Sequence, residues 1–532
     1  MSGNLNDPVR RTRRDSASLS SQASGDVEVP IKDLDHKDID ADREPPYSSD
    51  VRYEYLEFET ALPAYATTHI HADAPQPPNL RNYESPFSWS SSRKTVVLIL
   101  CTFATFCAAY SAGTYSMAKE PLMAKWGIGT VAFNVGVTTW CLGFGIAPMF
   151  LAPFSEINGR KPVFIISCVV FVAAQIGCAL TDSFAGMLVA RFFVGGSAST
   201  FSTIIGGVLA DIYHKEDRNT PMAIYSGGAL AGTGMGPFLS GFIIGRVSWR
   251  WVFYHQLFLD GILLAAMFFF LKETRGSVLL SRRAKALNTY FEALEKSEHF
   301  PPPTEKPTSD TYQPTHLIRY RVLADEQRSS IQRMIYLSTT TPFKLLSTEP
   351  VVFFFSLWAA FAWATLYLTL PAIPLVFTAR HNFDVQENGC VFISLTVGAI
   401  VGALLSIYQE KAARKWWPHL LEQPEGRLYF ACLESALLPI GLFWFGATSS
   451  SHIHWISPVI ALGVAQVGIF SIYLAVFNYL ADMFNGLGFL GASCLLGGVG
   501  ALLTLVPWVL VFNGERIRRR SKIAREIMEG PG

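Results

Sequence analysis

Residues 184–213 read FAGMLVARFFVGGSASTFSTIIGGVLADIY. From Phe184 to Ala210 the run holds one charged side chain, Arg191. About 20 such residues, rising ~1.5 Å each in a helix, cross a hydrocarbon core of ~30 Å. Lipid offers no partner to a backbone N–H or C=O, so a run of this kind must be helical, here near 186–210. It closes on Leu209-Ala210-Asp211-Ile212-Tyr213, and Leu480-Ala481-Asp482-Met483-Phe484 closes a later apolar run in the same way. Counting outward, the first is run four and the second run ten. A repeat six spans apart fits two parallel six-helix halves.

Working outward, runs of the same kind lie near 95–117, 131–154, 163–180, 221–244 and 252–271, then near 351–377, 389–408, 428–447, 456–479 and 488–512. The expected architecture is therefore an all-α membrane protein with six visible spans, a long loop and five more. Half the chain is hydrophobic and only 16% is charged, against roughly 25% in soluble domains. The polar residues concentrate in 1–93, read as a disordered cytoplasmic tail with Ser16, Ser18, Ser20 and Ser21 as candidate phosphorylation sites. Residues 94–271 make the N-terminal bundle, 272–349 a central cytoplasmic loop, 350–512 the C-terminal bundle and 513–532 a basic tail. The N-terminus has no signal-peptide core, so the first span directs insertion. The eight cysteines show no CxxC or zinc spacing and read as small buried hydrophobes.

Lysine and arginine set the orientation. With the N-terminus inside, the cytoplasmic loops carry Arg160 and Lys161, Lys215 and Arg218, Lys272, Arg275, Arg282, Arg283 and Lys285, then Lys411, Arg414, Lys415 and Arg427. Lys119, Lys125, Arg246, Arg250 and Arg380 run against the bias. Parity then breaks. The last span would end outside, yet it leads into GERIRRRSKIARE, which prefers the cytoplasm. A six-plus-six scheme lacks its helix eleven, with an abrupt join near Met483–Gly486.

Three motifs stand on these spans. Residues 152–161, APFSEINGRK, lie between spans two and three. Arg191-Phe192-Phe193-Val194-Gly195 lies in span four, and residues 232–241, GTGMGPFLSG, in span five. Together they resemble the major facilitator superfamily, in particular the fungal twelve-helix drug:proton antiporters, over about residues 85–525. The first resembles G-x-x-x-D-R-x-G-R-R/K but has Ala152 for Gly, Glu156 for Asp and Ile157 for Arg. The second resembles R-x-x-Q-G with Val194 in the Gln place. The third, the most specific, resembles the exporters' G-x-x-x-G-P-x-x-G-G with Ser240 for one Gly.

The resemblance implies roles. Glu156, Gly159, Arg160 and Lys161 would form a gating loop, the acid latching to helix eleven of the opposite half. On physical grounds alone Gly159 suits a tight turn and the two cations an inner loop. Arg191, and Asp260 eight residues into span six, are intramembrane charges, which usually face a cavity or a partner; either could couple protons or substrate, or the two could pair. Glu434 in span nine is a third, able to reach the interface by snorkelling. Gly232, Gly236, Pro237 and Gly241 let helices approach and bend. Tyr110, Trp363, Tyr367, Gln466, Phe470 and Tyr473 are the candidate cavity lining, Gln466, Phe470 and Tyr473 sharing one face of span ten. Such an apolar wall with a few polar groups suits amphiphilic ligands.

No GxSxG, HExxH or GxxxxGK[ST] occurs, so the reading is not an enzyme and not an ATP-driven pump. It needs no cofactor and no metal. Expected partners are a small-molecule substrate, protons and the lipid bilayer, without nucleic acid, and the chain is expected to be a monomer in the plasma membrane. The function expected is proton-coupled export by alternating access. Two rivals stay open: a transporter-shaped protein that does not transport, and a proton-coupled importer.

Overall fold

The computed structural model describes residues 51–63, 75–296, 317–328, 330–348, 350–416 and 428–484. Residues 1–50, the last apolar run 488–512 and the tail 513–532 lie outside them. Ten spans are present among the described residues. Those of the N-terminal half are α1 (Ser91–Met117), α3 (Thr130–Ile157), α4 (Arg160–Leu180), α5 (Phe184–Thr203) continued by α6 (Ile205–Ile212), α7 (Asn219–Ile244) and α8 (Trp251–Phe270). A short α2 (Lys119–Trp126) sits between the first two. The C-terminal half holds α12 (Pro350–His381), α13 (Val385–Val391) with α14 (Ile393–Trp416), α15 (Leu428–Ser435) with α16 (Leu437–Thr448), and α17 (Ile456–Phe484). Span eight is longer at both ends than expected, running Val385–Trp416. Its start is fixed by a capping box, in which Asp384 accepts from the Glu387 N–H and Glu387 accepts from the Asp384 N–H.

Within the first half α1 packs on α7, α5 and α8, α3 on α5, and α4 on α5 and α8. Within the second, α14, α16 and α12 pack on α17. The halves meet chiefly along α7, which touches α13, α14 and α17. Side chains between helices are buried, whereas Ile166, Phe258, Phe269, Leu375 and Phe443 stand exposed on outer faces. A membrane supplies the apolar surroundings those faces require.

The tail and the central loop depart from expectation. Residues 51–63 and 75–90 are not a disordered tail. Val51–Tyr55 forms β1, which pairs in parallel with β2 (Leu317–Arg321) of the loop. The loop itself carries α9 (Gly276–Lys296), α10 (Leu323–Glu326) and α11 (Ile331–Thr348). Leu56 enters a small core with Leu287, Tyr290, Phe291, Leu294, Ile318 and Tyr320. Asn288 bonds the Tyr320 backbone in both directions at 2.8 Å, and Arg319 binds Glu295 through two 2.7 Å contacts. Burial pushes the Tyr320 phenol up to about 12. The apolar residues of 51–62 are few, but the loop supplies the missing surface; composition of the tail alone hides this.

The exceptions Lys125 and Arg250 converge on Asp182, each at 2.6 Å. Lys125, by hydrogen bond and charge, and then Arg250 hold the Asp182 carboxyl below the usual carboxylate range. Both cations also lie over the Trp249 ring. These positive charges are thus compensated locally.

Candidate substrate pathway and gates

The inner loop is organised by a residue the sequence did not single out. Gly159 has φ +99°, a region closed to most side chains. The turn delivers the unpaired N–H groups at the start of α4 to Glu273, which follows span six. Its carboxylate accepts from the backbone N–H of Arg160 at 2.8 Å, Lys161 at 3.3 Å, Thr274 at 3.1 Å and Arg275 at 3.0 Å. A carboxylate is well placed at a helix N-terminus, where orphan donors and the helix dipole meet. The Arg160 side chain is buried, pairs with Asp211 at 3.2 Å and donates to Ser155 at 2.8 Å. Arg275 reaches the other Asp211 oxygen at 3.5 Å. Three elements, the ends of spans two, four and six, are tied together here. Glu156 is half-buried and stands outside this network. The place of its expected partner, the helix eleven that the apolar runs lack, falls beyond Phe484, outside the described residues. What packs on the inner part of α3 instead is α11, whose Ser338 donates to Met149 O at 2.7 Å.

Arg191 lies deep in the first half, 1% exposed. It does not pair with Asp260. Its Nε donates to Gly136 O and one Nη to Ser111 O, both at 3.1 Å, and the guanidinium lies 4.4 Å from the Tyr115 ring centre. The second Nη has no acceptor among the described residues. Glycine at 136 is required, because a Cβ there would strike Tyr115.

Asp260 is fully buried and neither carboxylate oxygen has a partner among the described residues. Span six, which carries it, packs on spans one and three. Tyr110 turns toward span six, where its hydroxyl meets His255 Nε2 at 2.6 Å, and His255 Nδ1 meets Trp251 O at 2.8 Å. Tyr110 therefore belongs to the interior of the first half, not to the surface between halves. A helical wheel for span one alone cannot say which neighbour its aromatic face meets.

The other cavity candidates do come together. Trp363 and Tyr367 of span seven stack at 6.1 Å between ring centres, Trp363 meets Tyr473 of span ten at 5.4 Å, and Tyr367 meets Trp140 of span two at 6.5 Å. Cys141 and the Tyr367 hydroxyl are in contact. Trp140 was not foreseen. Gln466 and Phe470 are buried against Gly398 and Gly402 of span eight, and the Gln466 amide has no partner among the described residues.

Span five is the common wall. On one side a Cβ at Gly232 would lie 2.5 Å from Phe106 O, and one at Gly236 2.5 Å from Tyr110 O. Pro237 packs on Gly113 of span one. On the other side Gly234 abuts Phe392 O and Thr396, and Gly241 abuts Val385 and Gly389 of span eight. Near the C-terminal end of span eight Glu410 accepts from Thr220 at 2.7 Å and Asn219 at 3.1 Å, and binds Arg414 at 2.8 Å. This second link between the halves was also missed, since it joins residues far apart in sequence. Glu434 accepts from Gln409 and Ser471, so it faces the inside of the second half.

Residues 101–504 match the Major Facilitator Superfamily. The chain belongs to that superfamily. It is a multi-pass membrane transporter protein and not an enzyme. Similar superfamily members include the MFS-type transporter phm3 of Pyrenochaetopsis sp, 30% identical over 83% of this chain and 93% of that one. The multidrug transporter FLR2 of Candida glabrata is 28% identical over 82% and 77%, and the cycloheximide resistance protein of Candida maltosa 28% over 83% and 84%. Among solved structures, the proton:xylose symporter XylE superposes with a TM-score of 0.54 at 13% identity, covering 80% of this chain and 90% of that one. The shared superfamily fold of two helical bundles accounts for the repeat at Asp211 and Asp482.

Proposed function

We propose that this protein exports small amphiphilic organic compounds from the cell, driven by protons moving the other way. The observation that carries the reading is span five. Its G-x-x-x-G-P element lies without gap against span one on one face and span eight on the other, where a rocking motion of the halves must be transmitted. Relatives named as a multidrug transporter and a cycloheximide resistance protein support the direction. The working unit is a monomer in the plasma membrane.

Alternating access exposes the face between Trp140, Trp363, Tyr367 and Tyr473 to each side in turn. Asp260 is the acid we assign to proton coupling. A charged carboxylate with no donor is costly in such surroundings, so proton loss needs a rearrangement, which links protonation to conformation. Span six packs on span one, which carries Cys107 and Tyr110, and on span three, which carries Cys168.

The test is expression in a host lacking its own drug pumps, loaded with a fluorescent amphiphile. Wild type should empty the cells, and a protonophore should stop it. Asp260→Asn should fold and bind but lose the dependence on the proton gradient. Wild-type cells that retain the dye, or accumulate it against the control, would overturn export.

A further inference from the structure

Resting on the export reading above, we infer that the exported compounds are organic anions, weak acids with a planar or aromatic body. Three observations converge on the face between the halves. Arg191 is buried, and among the described residues it has no carboxylate partner. Two of its N–H groups are held by backbone carbonyls, which orient the guanidinium without neutralising it, and Nη2 is left unsatisfied. Such a group ordinarily finds a counter-charge.

The acids that could supply one are turned elsewhere. Asp260 is buried on span six, which packs on spans one and three, and it is not among the groups that Arg191 binds. Glu434 is engaged by Gln409 and Ser471 inside the second half. What lies next to Arg191 is a set of rings. Tyr115 covers it, and the Gly136 carbonyl that it binds lies one helical turn from Trp140, whose ring meets Tyr367 of the opposite half. Trp140, Trp363 and Tyr473 continue from Tyr367. Among the described residues the face therefore offers a positive charge without a carboxylate partner beside flat apolar surface. A carboxylate or enolate joined to a ring system matches both. An organic cation would meet like charge with nothing to offset it, which discriminates against it.

The probes are three molecules of one shape: 2-naphthoate, 2-naphthamide and 2-naphthylmethylammonium. Equilibrium dialysis against the detergent-purified full chain at neutral pH measures each. Naphthoate should bind at least tenfold tighter than the other two. R191Q should erase that preference while leaving the amide within about twofold, and R191K should keep it. If R191Q does not run as a single species, the wild-type ranking together with R191K decides. Amide or ammonium binding as tightly as naphthoate, or R191Q keeping the preference, overturns the inference. If no probe binds while pump-deficient cells still export a dye, the anion inference falls and export stands. If the cells export nothing, the export reading itself falls.

Discussion

Placing a methyl group at Gly236 should separate spans one and five. A Cβ there would sit 2.5 Å from Tyr110 O and 3.3 Å from Thr114 N, both backbone atoms that cannot step aside. Gly261, in span six, faces outward, and a Cβ there meets nothing within 4 Å. Both are mid-helix, so Gly→Ala gains about 1 kcal/mol of helix propensity at either site. That gain cancels on comparison. What remains is overpacking, typically about 1–3 kcal/mol. G236A should therefore be less stable than G261A by that amount. If each half melts as a unit of 150–250 residues, the gap is roughly 2–12 °C. The assay is a melting curve of detergent-purified protein followed by tryptophan fluorescence, with export measured in parallel. G236A should also lose most export, because the helix can no longer lie flush. Equal melting of G236A and G261A would refute the close contact and with it the reason for glycine in this motif.

Three other substitutions follow from named contacts. Glu273→Ala should cost about 2–3 kcal/mol, since four backbone N–H groups lose a charged acceptor, and a matching drop in melting temperature checks it. Leu56→Asp should free residues 51–62 from the loop, read as new protease cleavage there while the spans stay intact. The Asp182 clasp should be sensitive to acid. Its carboxyl titrates lower in the folded state than in the unfolded one, so its contribution is present above the unfolded value and fades as pH falls through the folded one. Asp182→Asn should flatten that acid limb of the stability curve and leave export at neutral pH unchanged.

The spans were legible because hydrophobic length is a one-dimensional property, and the structure moves their ends by only a few residues in most cases. Gly232, Gly236 and Pro237 were legible for a related reason: small residues at fixed spacing mean close helices wherever they occur. Partners were not legible. Glu273 looks like one more acid in KETRG until the turn at Gly159 brings the start of span three to it. Tyr110 and Tyr367 look alike on helical wheels, yet one faces His255 and the other Cys141 and Trp140. β1 was hidden because, after Val51, its four residues alternate charge and aromatic, and the surface that covers Leu56 comes from a loop more than two hundred residues away.

The most direct measurement is transport by the purified chain in vesicles with an imposed proton gradient. With the outer face of the protein toward an acidic compartment, an amphiphilic substrate should accumulate in that compartment, and the flux should vanish when the gradient is collapsed. Accumulation on the opposite side, or equal flux with and without the gradient, would contradict export coupled to protons.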